Sequence, residues 1–154
     1  MRFSPQQIQE MVGISRDTLR HWRKVLSPLT DRNGYRPCFT LGDALALKVI
    51  KVITEDFGVA VGAMFNIAPA LFTLCGTKGW ALMENVWLAV NPQTGLLRTV
   101  EDLKRLEIDD AALLIPMGRL MAELRQVVMS GMEEDPDPQI ELSLALGGVK
   151  STKQ

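Results

Sequence analysis

A chain of 154 residues with 47% hydrophobic side chains can bury a real core, which excludes disorder throughout. Its length suits one domain, or a small domain with a partner module. The formal net charge of −1 alone gives no reason to expect nucleic acid, but it divides into +3 over residues 1–56 and −4 over residues 57–154.

The first element announces itself in Ser4-Pro5-Gln6-Gln7. Serine at the N-cap, proline at the first helical position and glutamine at the third form a capping box. Ile8, Met11 and Val12 follow at helical spacing, and Gly13 permits a tight turn. Ser15 then caps a second helix, with Asp17 in its first turn where the helix dipole favours an anion. On this second helix Leu19, Trp22 and Leu26 form a narrow apolar stripe that can pack on the first helix. Arg16, Arg20 and Lys24 recur every fourth residue on another face, with Arg23 beside them. Like charges at that spacing repel by a few tenths of a kcal/mol per pair, so a helix that keeps them in one row suggests an anion to meet.

After the break at Ser27-Pro28, the stretch 30–40 carries Asn33-Gly34, the strongest short-range signal for a hairpin. Arg32, Tyr35 and Arg36 surround the turn, and Pro37 confines the hairpin to a sheet edge. Two short helices joined by a tight turn and followed by a basic hairpin make a winged helix-turn-helix. Thr40 caps a third helix with Asp43 at its third position. Leu45, Val49, Val52 and Ile53 line one face of it, and Gly58 ends it. Residues 59–74 read as a fourth, apolar helix kinked or split by Pro69, and residues 76–79 as a loop.

The back half differs. Residues 85–90 and 96–100 read as strands around the turn 91–95, and Thr99 or Asp102 caps a short helix running to Leu106. Residues 111–115 suggest a further strand. Pro116-Met117-Gly118 opens a helix to about Met129, with Leu120, Met121, Leu124 and Val128 on its apolar face. An acidic linker at 133–138 and an alternating strand pattern at 140–146 follow, with a frayed tail at 147–154. The fold class expected is mainly α with small β content: a winged helix-turn-helix over 1–57, an apolar helix over 58–76 that serves as core or dimer interface, and a small α+β dimerisation or effector module over 77–146.

Cys38 and Cys75 are the only cysteines and belong to no CxxC pair, which suits two free thiols in a reducing cytoplasm. The first ten residues lack an apolar signal segment. The stretch 59–75 is interrupted by Asn66, Pro69 and Thr73, so core or interface is expected there and not a membrane span. His21, the single histidine, has no cysteine or acidic cluster at ligand spacing, so no metal and no cofactor are expected. Asp109-Asp110 are adjacent and point apart, and no phosphate loop or nucleophile elbow appears, so no enzyme is expected. Trp80 and Trp87 read as core or interface in preference to a ligand pocket.

Thr18-Leu19-Arg20-His21-Trp22, then Arg32-Asn33-Gly34-Tyr35-Arg36, then Asp43 opening a helix, together resemble the MerR-type winged helix-turn-helix over about residues 3–65. Excisionase and AlpA-like phage regulators share the motif in trimmed form. The resemblance implies a second helix in the major groove and a wing on the flanking backbone. Ser15, Arg16, Thr18, Arg20, His21, Arg23 and Lys24 would then meet double-stranded DNA from the helix, and Arg32, Asn33, Tyr35 and Arg36 from the wing. His21 stands where the family usually has tyrosine, and Arg23 where it often has glutamate. The family's metal-sensing cysteines and long coiled-coil helix have no counterpart here.

The function expected is a sequence-specific transcriptional regulator acting as a homodimer on a pseudo-palindrome. The back half would either bind a small-molecule effector or serve only for dimerisation or contact with RNA polymerase. The competing expectation is an excisionase-like or phage-type architectural DNA-binding or adaptor protein without effector response.

Overall fold

The structure is a computed structural model, and it describes residues 1–32 and 34–134. The fold is mainly helical with one small antiparallel sheet. In chain order its elements are α1 (Pro5–Val12), α2 (Arg16–Val25), α3 (Leu41–Glu55), α4 (Ala68–Thr77), α5 (Trp80–Met83), β1 (Trp87–Asn91), β2 (Leu96–Val100), β3 (Leu113–Pro116) and α6 (Met117–Glu134). Short 3-10 turns sit at Ser27–Leu29, Val61–Asn66 and Leu103–Arg105.

Local chemistry sets the helix starts. The Ser4 hydroxyl accepts from the Gln7 N–H at 3.2 Å, and the Gln7 side-chain Oε1 accepts from the Ser4 N–H at 2.8 Å. Gly13 closes α1 with φ +78°, a conformation that disfavours any side chain, and Ser15 caps α2 by accepting from the Thr18 N–H. Thr40 and Asp43 repeat the reciprocal box at the start of α3. At the turn between β1 and β2 the Asn91 side chain accepts from the Gln93 and Thr94 N–H groups, and Gly95 takes a positive φ.

The expected hairpin does not form among the described residues. The single backbone bridge in this region pairs Phe39 with Phe3, at 2.7 Å from the Phe3 N–H to the Phe39 carbonyl. Pro37 has no N–H to give a hairpin ladder, whereas pairing with the N-terminal segment buries both phenyl rings. The fourth helix is also shorter than expected. Residues 61–66 form a 3-10 turn, α4 starts at Ala68 with Pro69 in its first turn, and Gly76 and Thr77 belong to the helix. Proline is tolerated there because the first helical N–H groups lack partners in any case.

The sheet order is β2-β1-β3, both pairings antiparallel, with Leu88 opposite Thr99 and Ile115. Leu88, Val90 and Ile115 turn inward. β3 runs directly into α6, whose Leu120, Met121, Leu124 and Val128 are buried. α6 packs on α1 and α3. One apolar core therefore runs from Phe3 to Val128, across the boundaries expected near residues 57 and 76. Helix packing between segments far apart in sequence joins what composition suggested were separate units. Among the described residues no helix is long and apolar enough to cross a membrane. The strand pattern at 140–146 and the tail at 147–154 lie outside the described residues, as does most of the acidic linker.

An ion pair helps fasten α6 to α3. Lys48 on α3, almost fully buried, donates to Glu123 on α6 at 2.6 Å, and Arg119 donates to the other carboxylate oxygen at 3.2 Å. The hydrogen bond from Lys48 holds the Glu123 carboxyl below the usual carboxylate range. A carboxyl whose folded pKa is depressed adds stability above its unfolded pKa and loses it as pH falls through the folded value. Glu123→Gln is expected to cost about 1–2 kcal/mol near neutral pH, because Lys48 loses a charged acceptor. In acid the gap between variant and parent should close. Urea unfolding curves at the two pH values check this, and a pH-independent gap would remove the ion pair as the cause.

Candidate nucleic-acid interface

The two faces of α2 are sorted as its sequence dictates. Leu19 and Trp22 are buried against the core, and Arg16, Arg20, His21 and Lys24 are exposed. α2 packs on α1, which leaves the basic row facing an open groove of about 900 Å³. Ser4, Gln6, Gln9 and Glu10 at α1 form one wall of it. Arg16, Arg20, Arg23 and Lys24 form another, and Gly34 and Tyr35 close the third side. No described carboxylate forms an ion pair with Arg16, Arg20 or Lys24, and Glu10 is the one acidic side chain that lines the groove with them. Tyr35 is 84% exposed, and Arg36 beside it is exposed too.

The remaining expected residues divide differently. Ser15 is occupied in the cap of α2, and its hydroxyl donates to the half-buried Thr18 hydroxyl at 2.9 Å. His21 is exposed but does not line the groove. Asn33 lies outside the described residues. Arg32 turns away from solvent toward α3. Its Nε and Nη2 donate to the two carboxylate oxygens of Asp43 at 3.2 and 3.4 Å. Asp43 is only 5% exposed and also accepts from the Thr40 N–H, so one carboxylate caps α3 and receives the loop arginine. Arg23 is half-buried. Its guanidinium lies over the Phe39 ring, 5.6 Å from the centroid, and donates to the Gly34 carbonyl through a long hydrogen bond of 3.4 Å.

Sequence reasoning missed the contribution of α1. Gln6 and Gln9 lie three residues apart on the face opposite Ile8 and Met11, a spacing that placed them on one polar stripe. The partnership of Arg32 with Asp43 had no periodic signal, because it crosses a loop.

Among the described residues no three of His, Cys, Asp and Glu gather as a metal site. Burial pushes the Cys75 thiol up to about 12, with the nearby Asp43 charge adding to the effect, so Cys75 is a packing residue and a poor nucleophile. Trp80 packs against the core, with the Arg125 guanidinium 5.9 Å from its ring centroid.

No family model, curated protein or solved structure matches the chain.

Proposed function

We propose that this chain binds duplex DNA through α2 and the loop after it, and acts as a sequence-specific transcriptional regulator in the form of a homodimer. The observation that carries this reading is the face of α2. Three cations stand in one exposed row, without an ion-pair partner among the described residues, beside an open groove bounded by an exposed tyrosine. An α-helix fits the major groove of B-DNA, and arginine pairs bidentately with guanine there. Lysine and arginine beside it neutralise phosphates and supply affinity that does not depend on sequence. One such helix reads only a few base pairs, so a second copy on a pseudo-palindrome would supply the missing specificity.

The test is selection from sheared genomic DNA with the pure protein at physiological salt, followed by sequencing. A few enriched sites sharing an inverted repeat are the expected result, and their half-site spacing would report the dimer geometry. Retention only at low salt without enrichment would overturn the sequence-specific reading. Closely spaced tandem sites with strong bending would point instead to an architectural DNA-binding role.

A further inference from the structure

We propose that Arg23 and Arg32 are positioning residues that tether the loop carrying Tyr35 and Arg36, and are not themselves phosphate contacts. The proposal rests on the reading of α2 and this loop as a DNA interface. It reassigns two of the basic residues that the charge pattern alone places on the nucleic acid.

The loop between the Ser27–Leu29 turn and α3 has no strand ladder among its described residues, only the bridge from Phe39 to Phe3 at its far end. Something else must fix where Tyr35 and Arg36 stand relative to α2. Two side chains reach it from different sides. Arg32, within the loop, forks onto the buried Asp43 of α3. Arg23, on α2, donates to the Gly34 carbonyl while its guanidinium rests on Phe39. The first ties the loop to the helix behind it, and the second ties it to the helix beside the groove. Both need the planar guanidinium: one for a two-pronged approach to a carboxylate, the other to stack on a ring while donating sideways. Lysine would keep the charge and lose the geometry. Arg16, Arg20, Lys24 and Arg36 form no ion pair with a described carboxylate and stay exposed.

Substituting arginine by lysine at the two tethers separates the roles. Binding of Arg23→Lys, Arg32→Lys, Arg23→Ala and Arg36→Ala to a short fluorescein-labelled mixed-sequence duplex would be followed by anisotropy over a range of salt. A positioning residue replaced by lysine should weaken binding on the order of tenfold, with the slope of log K against log salt unchanged. Arg36→Ala, which removes a contact, should lower that slope by about one. Backbone 15N order parameters of Gly34–Arg36 without DNA give a second readout. They should fall in both lysine variants and stay at the parent values in Arg36→Ala. Wild-type affinity with parent order parameters in the lysine variants would overturn the tether. A fall in slope in Arg23→Ala comparable to that of Arg36→Ala would return Arg23 to the phosphates. A parent chain that does not bind the duplex would overturn the interface reading and the positioning role with it. Lower order parameters in the lysine variants would then establish the tether as a purely structural one.

Discussion

Gly118→Ala is expected to destabilise the protein by about 2–3 kcal/mol, although alanine is the better helix former. A Cβ at position 118 would overlap the Glu84 carbonyl oxygen, a backbone atom that cannot swing aside. Carbon and oxygen tolerate about 3.3 Å, so the start of α6 or the end of α5 would have to move by roughly 1 Å. That movement would disturb the site where the Met117 N–H donates to the Val86 carbonyl and Arg125 donates to Glu84. Gly131 lies on the same helix with open space around its Cβ position. Gly131→Ala should be neutral or stabilising by up to about 1 kcal/mol, since only propensity changes. Urea midpoints of the two variants, at constant m, make the comparison. Equal midpoints would mean that α6 does not dock on the α5–β1 connection as described.

This junction also shows where sequence reasoning stops. The helix starts were legible because each is a local device: Ser4 with Gln7, Ser15 with Thr18 and Thr40 with Asp43 lie three residues apart. The first two strands were legible because the turn chemistry of Asn91 and Gly95 sits between two apolar runs. The apolar stripe of α6 was legible, but its destination was not. A stripe says that a face is buried and leaves open against what, and here α6 returns to α1 and α3. The loop after α2 fails for the same reason. Asn33-Gly34 argued for local pairing, but Pro37 withholds an N–H from such a ladder, and the bridge described there joins Phe39 to the distant Phe3. At the candidate interface, the basic row on α2 could be read from period alone. Which cations are free to meet a ligand could not, because the partners of Arg23 and Arg32 lie across the loop, each eleven residues away.

Replacing Arg16, Arg20 and Lys24 together by alanine should abolish the interface while leaving the fold intact. All three are exposed, and none forms an ion pair with a described carboxylate, so their removal leaves no described carboxylate unpartnered. Repulsion along the row costs the parent a few tenths of a kcal/mol per pair, so the variant should unfold at the same urea concentration or slightly higher. Duplex DNA should bind at least about a hundredfold more weakly, since a single well-placed arginine contributes about 1–3 kcal/mol. The salt slope should fall by nearly three if each cation touches a phosphate, and by less if one of them reads a base edge. That distinction is informative in its own right. Arg20 occupies the middle of the row, and a base contact there would make Arg20→Ala lose preference for the selected site over a scrambled one. Lys24→Ala, near the end of the helix, should weaken both equally. Unchanged affinity in the triple variant, with its fold intact, would make the row a solvated face. The open groove and exposed Tyr35 would then need a different occupant.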